Sequence, residues 1–207
     1  VVYHTAACGI ILNKLKNSQI INTEHNDDIT CLDLNVKKNL VVTGEMGKNP
    51  IVTVWDALTG KTIQVFSHPK LIKSIAAVAI SPSGKYVAAV SMCDDHDIFV
   101  FDIPSKSLVT FGKGPKSVVY HIKFNSEENT VIMACDKQVA FASFSKGQLG
   151  CKKGVFGKAP VAQCYSVAVG KNGDCLISQQ NGILTLWKGN SCTKVFKDHT
   201  KTVYAVC

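Results

Sequence analysis

The densest chemistry in the chain is the run Asp94-Asp95-His96-Asp97, in which three carboxylates flank one imidazole. Hard cations accept oxygen ligands of this kind. Consecutive side chains on an extended turn do not converge on one ion, however, and no glycine-containing calcium loop surrounds them, so the run reads as a solvated connection. Glu24-His25-Asn26-Asp27-Asp28 reads the same way for Asp27 and Asp28, which precede a strand-like apolar run. Gly112-Lys113-Gly114-Pro115-Lys116-Ser117 has the look of a loose phosphate loop, but it joins two strand-like runs instead of opening a helix. No G-x-S-x-G, H-E-x-x-H, P-loop or dinucleotide fingerprint occurs. The expectation is a protein that is not an enzyme, with no catalytic, metal-binding or cofactor-binding residue.

The nine cysteines lend no support to a metal or disulfide framework, because none are paired at C-x-x-C spacing, the number is odd and most lie inside apolar runs. They read as small buried hydrophobes in a reducing, cytoplasmic setting. All 23 basic residues are lysine, giving a net charge of +8. Arginine supplies the bidentate forks that read guanine edges, so its absence argues against sequence-specific nucleic-acid recognition. Residues 1–102 carry 9 Lys against 10 Asp/Glu, and residues 103–207 carry 14 against 5, so the halves are −1 and +9. A hydrophobic fraction of 46% excludes disorder. No apolar run approaches the roughly 18 residues of a membrane span, and no signal-peptide pattern opens the chain.

The elements that must position any site are repeats. Four runs align on an aromatic residue: VTVWD (52–56), IFVFD (98–102), VAFAS (139–143) and LTLWK (184–188). Trp55, Phe101, Phe141 and Trp187 are spaced by 46, 40 and 46 residues. An apolar triplet precedes each: Ile29, Leu32, Leu34; Ile75, Val78, Ile80; Val119, Ile122, Phe124; Cys164, Val167, Val169. A third run lies between these signals (NLVVTG, YVAAVS, TVIMAC, CLISQQ) and a fourth follows the aromatic run (KTIQVF, KSLVTF, CTKVF). Alternating β-branched runs separated by Ser-Pro-Ser-Gly, Lys-Asn-Gly or Thr-Gly are strands joined by tight turns. Four strands at a period of about 44 residues make a propeller blade.

Inner strands buried on both faces need small residues where blades converge, and Cys31, Ala77, Ser166 and Ala205 supply them. His121 departs from that pattern and reads as a hydrogen-bonded core histidine; a ligand or proton carrier would need a second histidine or carboxylate pattern. Residues 1–23 read as three strands and KTVYAVC (201–207) as an inner strand, so each strand type recurs five times. Those counts fit a five-bladed ring or an arc of a larger propeller. The corresponding divisions are 1–23, 24–66, 67–112, 113–154, 155–196 and 197–207.

Trp55-Asp56, with Thr43 upstream and His25 ahead of the inner strand, resembles a WD repeat. In such repeats histidine, a strand Ser/Thr, a turn aspartate and Trp commonly form one hydrogen-bonded set. Asn49 stands where that turn aspartate is expected, while the next unit has His68, Asp95 and Phe101, and the fourth keeps Trp187. The segments VVYHTAACGIILN (1–13), HNDDITCL (25–32), VTGEMGKNPIVTVWDA (42–57), DDHDIFVFD (94–102) and LGCKKGVFG (149–157) are similar, in order and spacing, to the echinoderm microtubule-associated protein-like family. That resemblance covers almost the whole chain. It implies an all-β, WD40-type β-propeller, about five four-stranded blades' worth, from the N-terminal part of a tandem pair of atypical propellers, and favours the open arc over the ring. The stretch similar to residues 1–15 then closes the family's hydrophobic motif. Exposed blade edges in such an arc would favour self-association.

The resemblance further implies a cytoplasmic, cytoskeletal protein that binds tubulin, microtubules or cytoskeletal regulators. The alternative is a general interaction scaffold for signalling or ubiquitin-ligase assembly. Connections leading into inner strands lie on one propeller face and carry Lys70, Lys73, Lys113, Lys116 and Lys201. Lysines at matching places sum into a positive surface suited to an acidic partner such as a tubulin tail. No membrane contact is expected.

Overall fold

A computed structural model describes residues 1–207 as nineteen β-strands with no helix. The first sheet is β1 (Val2–Thr5), β2 (Cys8–Asn13) and β3 (Ser18–Asn22). The second is β4 (Ile29–Asn35), β5 (Leu40–Glu45), β6 (Val52–Asp56) and β7 (Thr62–Phe66). The third is β8 (Ile75–Ile80), β9 (Tyr86–Ser91), β10 (Ile98–Asp102) and β11 (Ser107–Gly112). The fourth is β12 (Val119–Phe124), β13 (Thr130–Cys135), β14 (Gln138–Ser145) and β15 (Gln148–Lys153). The fifth is β16 (Cys164–Val169), β17 (Cys175–Gln179), β18 (Leu184–Lys188) and β19 (Ser191–Phe196). Every sheet is an antiparallel meander whose spatial order follows the sequence. Two compact units result, Val1–Cys93 with Asp97–Val109, and Asp94–His96 with Thr110–Cys207.

The spacing i, i+3, i+5 of the apolar triplets has a structural cause. A strand of strict period two would place residues i and i+3 on opposite faces. In β4 the ladder to β5 pairs Ile29 with Glu45 and Cys31 with Gly44, leaving Thr30 as an extra residue. The same slip leaves out Ala76 in β8, Tyr120 in β12 and Tyr165 in β16. Each inner strand thus carries a β-bulge that resets its phase and twists its first residues away from the ladder.

Middle strands are buried on both faces, as β5, β9 and β13 show, whereas the fourth strands are more open, half-buried in β7 and β11 and mostly exposed in β15. In the first unit the apolar layer between the second and third sheets contains Val42, Val54, Ile75, Val78, Phe99 and Phe101. Phe66 stacks on Phe101 at 4.7 Å. In the second unit the layer between the fourth and fifth sheets gathers Ile132, Phe141, Phe156, Val167, Ile177 and Trp187. Phe156 meets Trp187 edge-on at 4.9 Å. Fully burying such a side chain contributes on the order of 3 kcal/mol.

Each tryptophan lies against a glycine that a larger residue cannot replace. A Cβ on Gly9 would stand 2.7 Å from Trp55 Cζ2, and one on Gly154 would stand 2.7 Å from Trp187 Cζ3.

One expectation fails. Residues 201–207, read as an inner strand, form none. A strand is held by its ladder, and this segment has no strand beside it in its own sheet. It is tied instead by Val203 N–H to Gln179 O at 3.2 Å, Thr202 Oγ1 to Gln180 O at 2.6 Å and Val206 N–H to Ser166 Oγ at 3.3 Å.

Candidate functional site

The most connected polar group joins the second sheet to the connection ahead of it. Trp55 Nε1–H donates to Thr43 Oγ1 at 3.1 Å, and Thr43 Oγ1 lies 2.7 Å from His25 Nε2. His25 Nδ1 lies 2.9 Å from Glu45 Oε2. A carboxylate only accepts, so Nδ1 carries the proton and Nε2 accepts from the threonine hydroxyl. Glu45 also accepts the N–H groups of Asn26 at 2.9 Å and Ile51 at 3.1 Å, which pins both flanking turns. Burial holds the imidazole below its ordinary pKa, against the opposing pull of Glu45, so it is neutral near pH 7.

Hydroxyl, imidazole and carboxylate in this order have the layout of an activated nucleophile. Access decides against that use. Thr43 is fully buried, the His25 and Glu45 side chains are 0% and 3% exposed, and the threonine oxygen already holds the tryptophan N–H. No substrate reaches the hydroxyl, and the relay fastens strand to turn.

The carboxylate is not where the sequence placed it. Asn49, at the expected turn position, is exposed, and Glu45 at the end of β5 serves instead. The available signal was a lone acid inside the apolar run VVTGEM, since such a group is buried only when paired. Asp56 serves the turn into β7, where its Oδ1 accepts Leu58 N–H, Thr59 N–H and Thr59 Oγ1 within 2.9 Å. Asp102 repeats this with Ser105 N–H at 2.8 Å. These bonds, first of all from Thr59 and from Ser105, hold both carboxyls below the usual carboxylate range.

Elsewhere the relay is replaced piece by piece. In the third sheet Phe101 pairs with Val87, and Ala89 stands at the place of Thr43. His68 packs on Phe99 at 5.2 Å. In the fifth sheet Ile177 occupies the threonine place, and Trp187 donates within its own strand to Thr185 Oγ1 at 2.9 Å.

Asp95 pairs with Lys113 Nζ at 2.9 Å, and the Lys113 side chain remains 77% exposed. Lys70 and Lys73 occupy the β7–β8 connection, Lys113 and Lys116 the β11–β12 connection, and Lys201 the segment after β19, all exposed. His121 accepts Val167 N–H at its Nδ1 at 3.0 Å, with Ser166 Oγ at 3.3 Å, and so ties β12 to β16 as a hydrogen-bonded histidine. All nine cysteines are free thiols. Burial pushes Cys31, Cys164 and Cys175 up to about 12, far from the thiolate that redox or metal chemistry requires.

A row of tyrosines in the second unit was not anticipated from the sequence. Tyr165 lies between Tyr120, at 5.5 Å, and Tyr204, at 5.2 Å, with the rings tilted by 46° and 48°. Gln163 braces the row, donating to Tyr120 OH at 3.2 Å and accepting from Tyr165 OH at 2.9 Å. Tyr120 and Tyr165 are the extra residues of the bulges in β12 and β16. The signal lay in the alignment of the repeats: a tyrosine directly follows Val119, Cys164 and Val203.

Sheets of four antiparallel strands in sequential order, with buried middle strands and a bulged inner strand, define a β-propeller protein of the WD-repeat class. A solved structure of the Myceliophteria thermophila Cps50 (Swd1) beta-propeller domain shares this fold, with a TM-score of 0.68 over 84% of this chain and 58% of that chain at 13% identity. A family model described as the echinoderm microtubule-associated protein first beta-propeller matches residues 18–207, and the chain belongs to that family. Among curated relatives, a ciliary WD repeat-containing protein, ctxp80, of Euplotoides octocarinatus is 28% identical over 97% of this chain and 31% of its own length. Echinoderm microtubule-associated protein-like 2 of Rattus norvegicus is 28% identical over the whole chain and 34% of its own length. For echinoderm microtubule-associated protein-like 4 of Xenopus laevis the identity is 24%, over the whole chain and 25% of its own length. The chain therefore spans a quarter to a third of these relatives.

Proposed function

We propose that this chain is propeller from a non-enzymatic, cytoplasmic protein of the microtubule cytoskeleton, and that it docks tubulin through lysines on its inter-sheet connections. The observation that carries the reading is family membership across residues 18–207, with relatives named for microtubule association. Two features support the chemistry. Lys70, Lys73, Lys113, Lys116 and Lys201 are exposed at equivalent places in the repeat. The only hydroxyl–imidazole–carboxylate relay found is sealed within the second sheet and serves the fold.

Lysine contacts to an acidic polymer are diffuse and screened by salt, with a Debye length of about 8 Å at physiological ionic strength. Replacing Lys70, Lys73, Lys113 and Lys116 by Glu in the full-length protein is expected to weaken co-sedimentation with microtubules and to flatten its salt dependence. Unchanged co-sedimentation would reject the lysine surface. Recovery of other proteins but no tubulin from cell extract would favour a general scaffold instead.

A further inference from the structure

We infer that the tyrosine row Tyr120–Tyr165–Tyr204 is the docking track for an extended, glutamate-rich peptide. The inference deepens the reading above and rests on it only for the biological source of that peptide.

The row sits at one end of the sheets in the second unit. In an antiparallel meander the connections into first strands and those between second and third strands leave from the same end. Across the second unit these connections bear Lys113, Lys116, Lys137, Lys158, Lys197 and Lys201 against four acids, Asp94, Asp95, Asp136 and Asp198. Lys113 is partly neutralised by Asp95. The turns at the other end carry Glu127, Glu128 and Asp174 against Lys146 and Lys171. The charge is therefore sorted, and the tyrosines share the positive end. Exposed apolar surface collects there too: Tyr120 is 38% exposed, Val118 47%, Val161 56% and Tyr204 71%.

Tyrosine offers broad contact area at low entropic cost together with a hydroxyl donor. A Gln163 brace and ring-to-ring contact fix the row before any partner arrives, which lowers the cost of ordering it. The bulges leave Tyr120 and Tyr165 outside the ladder register, free of the alternation that fixes their neighbours. Aromatic surface within a lysine border suits a chain with carboxylates spaced along an extended backbone. Single-stranded nucleic acid is the rival for such a surface, but it needs open ring faces for base stacking. Here Tyr165 is flanked on both sides at 5.2–5.5 Å by rings tilted by 46° and 48°, so the row presents no continuous stack of open faces.

The test is fluorescence anisotropy of the full-length protein with a labelled peptide of alternating glutamate and glycine, its glutamine counterpart and an oligouridylate. Saturable, salt-sensitive binding of the glutamate peptide alone is expected. Tyr165→Ala and Tyr204→Ala should each weaken it about tenfold, the range of a central aromatic contact. Thermal melts of both variants beside wild type separate lost binding from lost folding. Absence of glutamate-peptide binding, equal affinity for oligouridylate, or wild-type affinity in Tyr204→Ala overturns the assignment. Co-sedimentation with microtubules is measured in parallel. Peptide capture without co-sedimentation removes the microtubule reading and leaves this one standing. Co-sedimentation without any binding of the glutamate peptide does the reverse.

Discussion

Replacing Glu45 by alanine should cost far more than its place at the end of a strand suggests. The side chain takes three donors, His25 Nδ1–H at 2.9 Å, Asn26 N–H at 2.9 Å and Ile51 N–H at 3.1 Å, in a site where Glu45 is 2% exposed. Each buried donor left without an acceptor costs about 1–3 kcal/mol, and partial relaxation of the turn brings the sum to about 3–5 kcal/mol. For a domain of this size 1 kcal/mol moves the melting temperature by about 2–4 °C, so a drop of about 10 °C is expected. Thermal melting followed by far-ultraviolet circular dichroism reads this directly. Asn49→Ala is the control, since Asn49 is exposed and should leave the melt within about 1 °C of wild type. Equal melting of the two variants, or a larger loss for Asn49→Ala, would refute the assignment of Glu45 as the histidine's partner.

His25 gives the fold a pH dependence of known sign. Its pKa is lowered from 6.5 in the folded state, first of all by burial, so the unfolded chain binds its proton more readily. The associated stability is fully present above pH 6.5 and declines as the pH falls from there through the folded value. Melts at pH 7.5 and 5.5 check this, and His25→Gln should flatten the profile. Thr185→Val removes the acceptor of Trp187 Nε1–H without changing side-chain volume and should lower stability by about 1–3 kcal/mol, whereas Thr185→Ser should be tolerated. Gly9→Ala should destabilise by about 1–3 kcal/mol through overlap with Trp55, visible as a changed tryptophan fluorescence spectrum and a lower melting temperature.

Much of the architecture was legible because packing imposes it locally. Strands buried on both faces must be apolar throughout, and turns need their Gly, Asn and Ser, so the period stood out in runs such as YVAAVS and TVIMAC. The triplet spacing was visible too, although its cause was not: a bulge exists only in relation to a second strand, as between Ile29 and Cys31 against Glu45 and Gly44. Residues 201–207 misled for the same reason, since alternation announces a strand but cannot announce its partner.

Of the polar relay, His25, Thr43 and Trp55 were readable from their places in the repeat. Glu45 was not, because an acid at a strand end and an asparagine in the turn compete on equal terms until the chain folds. The tyrosine row lay further out of reach. Its members are separated by 45 and 39 residues, and only the side-by-side placement of β12 and β16, with residues 201–207 tied beside them, brings their rings together.

The bulge has a consequence for how such a scaffold diversifies. Thr30, Ala76, Tyr120 and Tyr165 each occupy the one position of their strand that neither interior layer has to accommodate. Thr30 uses that freedom to reach Ile75 O at 2.6 Å, and the two tyrosines use it to meet each other. A chain built this way has one spare letter per repeat, and rewriting those letters changes what the surface recognises while the words that spell the fold stay as they are.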